Sequence, residues 1–224
     1  MDLQGVWPRN TLRSIVNRDF QSNTYLLQTG QSNACVVIDP GLDSEAIAQE
    51  LEITGWQPAA ILCTHGHFDH VGGAAWLQKA FQVPVYLPED DLKIARQSNF
   101  LMAAFKIAQR IELPDFSLIK DGNTSLACDG RLFTYHALPG HTPGSAGIVV
   151  DDLLFSGDTL YARKTALSRM PGEDHALLRA SLAHLFSWVD GAVRVLPGHG
   201  GSATIDEIHA HNEPLRAFMA SVPA

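Results

Sequence analysis

Sulfur is scarce in this sequence. Cys35, Cys63 and Cys128 are its only cysteines among 224 residues, and no two of them stand at a metal-knuckle or redox spacing. A disulfide framework and a thiolate metal site are thereby excluded. Cys35 and Cys63 sit inside apolar runs and read as buried, reduced thiols, which fits a cytoplasmic setting. No apolar run is long enough to span a bilayer, and the stretch from Met1 to Ile15 lacks the apolar centre of a signal peptide, so no membrane partner is expected. Basic runs are missing too. Lys and Arg number 16 against 24 Asp and Glu, a formal net charge of −8, which removes nucleic acid as a partner and leaves a small-molecule substrate. No Pro/Gly/Ser-rich linker or internal repeat divides the chain, so residues 1–224 are read as one domain; nothing in the pattern speaks to an oligomeric state.

With 46% hydrophobic residues the chain has the material for a sizeable core. Period-two and short apolar runs predict strands at Thr24–Gln28, Ala34–Ile38, Ala59–Cys63, Val83–Leu87, Leu132–Leu138, Ala146–Val150, Leu153–Phe155 and Val193–Leu196. Helical spacing predicts Ser44–Thr54, with Ser44 as its cap, then Gly73–Phe81, Pro88–Ile111 (one helix or two), His175–Val189 and Ile205–Met219. Pro88, Glu89, Asp90 and Asp91 suit a first helical turn, where carboxylates favour the positive end of the helix dipole. The apolar stripe of Phe100, Leu101, Met102, Phe105 and Ile107 within the 88–112 helical segment reads as core packing, with the roof of an apolar pocket as the alternative. Mixed strands and helices in this order point to a layered α+β sandwich.

Chemistry concentrates where predicted strands end. After Cys63 comes His65-Gly66-His67-Phe68-Asp69-His70, a pattern that chance would produce on the order of once in a thousand such chains. In an extended segment His65 and His67 point the same way and can grip one ion; if the chain then turns helical, Asp69 and His70 aim at a second. His141 (in Pro-Gly-His-Thr-Pro-Gly), Asp158 (in Ser-Gly-Asp-Thr) and His199 (in Pro-Gly-His-Gly) each follow a strand in the same way. Loops leaving sheet ends are where rigid scaffolds display functional groups. Imidazole and carboxylate without thiolate suit Zn²⁺, with Fe²⁺ or Mn²⁺ as alternatives, and two aspartates allow two divalent ions with one bridging carboxylate. His136, His175, His184, His209 and His211 have no such context and read as structural or surface residues.

The succession THGHFDH, PGHT, SGD and PGHG resembles the metallo-β-lactamase fold superfamily over nearly the whole chain. That resemblance implies an αββα sandwich: two mixed β-sheets flanked by helices, with the metal site at one edge. It implies His65, His67 and His141 on one ion, Asp69, His70 and His199 on the other, and Asp158 between them. Asp39, in Ile-Asp-Pro-Gly, matches a position that supports a ligand from behind; its ordinary alternative is a turn residue. Asp158 speaks against a true β-lactamase, since those enzymes usually lack it. Ser22-Asn23-Thr24-Tyr25 and His211-Asn212-Glu213-Pro214 are closer to hydroxyacylglutathione hydrolases (glyoxalase II), among which this chain resembles the short, single-domain members without a C-terminal helical glutathione domain. Two departures bear on glutathione recognition: Ser145 stands where the family often has a second histidine, and Leu167-Ser168-Arg169-Met170 where a Gly-Arg-x-Asp element is usual. The implied reaction is thioester hydrolysis by hydroxide held between the ions, with Asp69 as ligand and orienter. Tyr161, Arg163, Lys164 and Arg169 could hold an anionic substrate group, or form a solvated basic loop. The rival readings are a mono-iron persulfide dioxygenase using His65, His141 and Asp158, and a lactonase.

Overall fold

The computed structural model describes residues 11–30, 32–165, 167–168, 170 and 172–221. Its first sheet contains β1 (Leu12–Val16), β2 (Asn23–Gln28), β3 (Ala34–Ile38), β4 (Gln57–Leu62), β5 (Val85–Pro88) and β6 (Phe116–Ile119), hydrogen-bonded in that order. The first three strands pair antiparallel and the rest parallel. The second sheet holds β7 (Ser125–Cys128), β8 (Arg131–Ala137), β9 (Ala146–Val150), β10 (Leu153–Gly157), β11 (Arg194–Pro197) and β12 (Ala203–Thr204), with β10 and β11 parallel and the other pairs antiparallel.

Alternation along the central strands builds the layers. Successive side chains of a strand point to opposite faces. In β3, Cys35 and Val37 join one apolar cluster while Val36 and Ile38 join another; in β2, Leu26 goes to the first and Tyr25 and Leu27 to the second. The second cluster lies between the sheets, where Phe133, Tyr135, Ile148 and Phe155 meet these residues. Outside the first sheet pack α1 (Ser44–Thr54), α2 (Phe68–Val71), α3 (Ala74–Phe81), α4 (Leu92–Arg96) and α5 (Ser98–Ala104), through Ile47, Leu51, Val71, Leu77, Ala95, Leu101 and Met102. Outside the second pack α6 (His175–Trp188), α7 (Ile205–His211) and α8 (Glu213–Ala220), through Leu178, Leu182, Leu185, Ile208, Leu215 and Phe218. Each fully buried Leu, Ile or Phe contributes about 1.5–3 kcal/mol. The result is the expected αββα sandwich. Among the described residues no helix is long and apolar enough to cross a membrane.

Three expectations need correction. The N-cap of α1 is Asp43, not Ser44: its carboxylate accepts from Ala46 N and pairs with Arg18, while Ser44 is already the first helical residue. The 88–112 segment is a 3-10 turn (Glu89–Asp91), α4 and α5, and its helix stops at Ala104. The Asn99 side chain then bonds both Ile111 N and Ile111 O, tying the return of the chain down as a loop. Leu101 and Met102 are core, as the packing reading expects, whereas Phe100 faces solvent and Phe105 stacks edge-on against Phe20. Finally, Ile205–Met219 is two helices, because Asn212 caps α8 through Leu215 N instead of continuing α7.

Candidate metal centre

Four strand ends deliver the seven residues to one edge of the sandwich. Residues 64–70 follow β4, His141 follows β8, Asp158 follows β10 and His199 follows β11. His67 is still extended (φ −68°, ψ 145°) and caps α2, which begins at Phe68, so the turn into helix comes where the His-x-His-x-Asp-His spacing requires it. The ligand atoms of His65, His67 and His141 lie within 4.8 Å of one another, and so do those of Asp69, His70 and His199. Asp158 reaches both groups: Oδ2 is 3.5 Å from His141 Nε2 and 3.4 Å from His199 Nε2, and Oδ1 is 3.5 Å from His70 Nε2. Asp69 Oδ2 is 3.4 Å from His199 Nε2 and 3.6 Å from His70 Nε2.

The residues behind these groups fix which nitrogen faces inward. Asp39 accepts from Thr64 N (2.7 Å) and from the Thr64 hydroxyl (2.7 Å), and its Oδ2 lies 3.1 Å from His70 Nδ1. Thr64 Oγ1 in turn lies 3.0 Å from His65 Nδ1. With both Nδ1 atoms engaged, His65 and His70 present Nε2 lone pairs to the centre. Asp39, His65 and His70 also fall within metal-ligand spacing, but both Asp39 oxygens already accept hydrogen bonds, so Asp39 is a support rather than a ligand. Its backbone is left-handed, with φ 49°. Ser22-Asn23-Thr24-Tyr25 straps the loops from the other side. Ser22 Oγ donates to Asp69 O, Asn23 Nδ2 to Pro197 O and Gly200 O, and the Tyr25 hydroxyl to Pro197 O.

Electrostatics separates the two groups. Burial, helped by His70 and His67, holds His65 well below the usual imidazole range, and burial with His141 brings His67 down to about 4. Burial also disfavours charge on His70, but Asp69, Asp158 and Asp39 outweigh it and push the imidazole up to about 9. His199, less buried, is pushed up to about 10 by Asp158 and Asp69 against the same burial penalty. Despite its burial, the Asp158 carboxyl is held well below the usual carboxylate range by His70, His199 and His141.

Tyr161 is buried with its ring 6.2 Å from that of His199, and Lys164 Nζ lies 4.3 Å over the Tyr161 ring. Asn212 Nδ2 donates to Tyr161 O and Lys164 O, pinning this loop. Arg163 is exposed, and Arg169 lies outside the described residues. Asp91 has a role that the sequence reading did not assign. It lies in the first turn of the 3-10 helix, as expected, but is also a fully buried carboxylate that accepts hydrogen bonds from Gly66, Thr142 and Gly144.

Buried polar atoms ordinarily find partners. Among the described residues, His65 Nε2, His67 Nε2, His70 Nε2, His141 Nδ1 and Asp158 Oδ1 are buried without one. Of these, His65 Nε2, His70 Nε2 and Asp158 Oδ1 face the centre, where His141 Nε2 and His67 Nδ1 also meet at 3.0 Å, and imidazole nitrogens gathered with a carboxylate oxygen are a donor set that fits divalent cations.

Comparison with known proteins agrees. The model of the metallo-β-lactamase superfamily matches residues 17–203. A hydroxyacylglutathione hydrolase of Haemophilus influenzae is 30% identical over 208 residues, covering 88% of this chain and 94% of that protein. Among solved structures, BLEG-1, described as a B3 metallo-β-lactamase, superposes with a TM-score of 0.81 at 30% identity, over 94% of this chain and 100% of its own. TTHA1623 in a di-iron-bound form gives 0.79 at 34%, over 90% and 98%. Family match, fold and donor set converge: the chain belongs to the metallo-β-lactamase superfamily of metal-binding hydrolases.

Proposed function

We propose that the chain is a two-ion hydrolase of hydroxyacylglutathione-like thioesters. The observation that carries this is Asp158, a buried carboxylate within 3.5 Å of three histidines and shared by both groups. In this reading His65, His67 and His141 would hold one ion and Asp69, His70 and His199 the other, with Asp158 shared by the two groups, and zinc is the first choice with iron or manganese as the alternatives. The ions supply Lewis acidity, lowering the pKa of water and polarising an acyl carbonyl. Asp69 accepts a hydrogen bond from the attacking water and so aims it at the carbonyl carbon. A C–O bond forms, the C–S bond breaks, and carboxylate and thiol leave. Lys164, carried on the loop that Asn212 pins, and Arg163 hold an anionic end of a small-molecule substrate. The completeness of the Asp69/His70/His199 group favours this over a mono-iron dioxygenase, which would need only His65, His141 and Asp158.

The test is hydrolysis of S-lactoylglutathione by protein loaded separately with zinc, manganese and iron, with Asp69→Ala as control. Turnover should fall on the order of 10²–10⁴-fold in Asp69→Ala, as expected for a positioned proton-handling group. Full turnover by a folded Asp69→Ala protein would remove Asp69 from the mechanism. No turnover with any metal would remove the thioester assignment, leaving lactones, β-lactams and oxygen-dependent persulfide chemistry as the next arms.

A pH dependence follows from the site itself. His70 and His199 must lose their protons to bind an ion, and their raised values, about 9 and about 10, mean that protons compete with the metal at neutral pH. Affinity of the Asp69/His70/His199 group should therefore rise with pH from 7 towards 9, by up to about tenfold per unit for each proton displaced. Calorimetric titration in buffers of different ionisation enthalpy reads the protons released. A pH-independent affinity with no proton release would contradict this.

A further inference from the structure

Asp91 belongs to neither histidine group, yet both ligand-bearing loops converge on it. Its Oδ2 accepts from Gly66 N (2.6 Å) and the Thr142 hydroxyl (2.7 Å), and its Oδ1 accepts from Gly144 N (2.6 Å). Gly66 lies between His65 and His67, on the loop leaving β4 of the first sheet. Thr142 and Gly144 follow His141, on the loop leaving β8 of the second. Asp91 is thus an anionic clamp between two loops from different sheets. Close packing supports the same reading. A Cβ on Gly66 would meet Asp91 O at 2.6 Å, and one on Gly144 would meet Asp91 N at 2.7 Å, so both loops lie directly on the Asp91 backbone. Because the Thr142 proton goes to Asp91, the Ser145 hydroxyl donates to Thr142 Oγ1 at 2.6 Å while accepting from Thr142 N at 3.0 Å. Ser145 is thereby the outer end of the clamp.

Hydrogen bonds to a buried carboxylate are short and strong, and removing their acceptor leaves two backbone N–H groups without a partner. The second group is supported otherwise: Asp39 faces His70, and Ser22 bonds Asp69 O. We propose that Asp91 is a positioning residue that sets the spacing of His65 and His67 against His141, and so controls ion affinity at the three-histidine group alone. This rests on the two-ion reading above.

The experiment measures the two stepwise zinc dissociation constants by chelator competition in the wild type, Asp91→Asn and Thr142→Val. His141→Ala and His199→Ala proteins serve to assign each constant to its group. The asparagine keeps the shape of Asp91 but turns an amide N–H towards one of its donors; the valine removes a single donor and keeps the clamp charge. In Asp91→Asn the constant of the three-histidine group should weaken about 10–100-fold, as for partners that orient metal ligands, while the other stays in place. Thr142→Val should weaken the same constant by less. A general structural role would weaken both constants together, or lower only the melting temperature of the metal-free protein. Either result overturns the clamp, and so does an unchanged constant. A wild type that takes up no second ion overturns the two-ion reading instead, and is recognised before any variant is compared.

Discussion

An Asp158→Asn protein is expected to keep its fold, bind one ion tightly instead of two, and lose on the order of 10³-fold in kcat. Asp158 follows β10 just past the point where the pairing with β11 shifts register between Phe155 and Gly157, and its carboxylate stands between the groups. One oxygen lies near His70 and the other near His141 and His199, so either group loses a member if the side chain leaves. Asparagine fits the same volume, and packing should survive. What it lacks is charge: an amide oxygen cannot offset two divalent ions as a shared carboxylate does. Lewis-acid stabilisation by such ions is worth several kcal/mol of the barrier, and about 4 kcal/mol corresponds to a factor of about 10³. Elemental analysis and steady-state kinetics on the same preparation test both halves. Two tightly held ions with near wild-type kcat would show that Asp158 does not bridge.

Much of this arrangement could be read before the fold was known, because the signals were local. Ala34–Ile38, Ser44–Thr54 and Ala146–Val150 have the bounds that their apolar periodicity predicts. The four strand-end clusters stand out since each places Gly or Pro beside a potential ligand directly after an apolar run. What escaped was non-local. β6, β7 and β12 are two to four residues long and only partly buried, too short to establish a period. β1, an edge strand reading Leu-Arg-Ser-Ile-Val, exposes Ser14 and Val16 and owes its place to pairing with β2. Asp91 beside Glu89 and Asp90 looks like any acidic first turn. Its partners are 25, 51 and 53 residues away, and only the packed fold distinguishes it from its exposed neighbours. The break at Asn212 has the same origin, since helical periodicity runs through it while its side chain answers to Tyr161 and Lys164.

Gly198→Ala should be nearly as damaging as loss of a ligand, although glycine contributes no side chain to the site. A Cβ built there would stand 2.1 Å from Asp158 Oδ1, 2.7 Å from His70 Cε1 and 3.1 Å from the Gly157 backbone. None of these can step aside cheaply: Asp158 and His70 are buried, His70 is held by Asp39, and Gly198 itself bonds Gly157 O and Asn23 N. One methyl group must therefore displace the bridge, the second histidine group or the His199 loop by something near an ångström. Overpacking of this kind costs about 1–3 kcal/mol in stability, and misplacement of catalytic groups by about 1 Å can cost about 10²-fold in rate. Gly201→Ala is the matched control, on the same loop with nothing within 4 Å of its Cβ. Gly198→Ala should lose about 10²-fold in kcat and bind the second ion weakly while its circular dichroism stays native, with Gly201→Ala unchanged in all three. Equal activity of the two variants would mean that the loop yields without moving the carboxylate, and that the close approach of Gly198 to Asp158 is not a constraint on the centre.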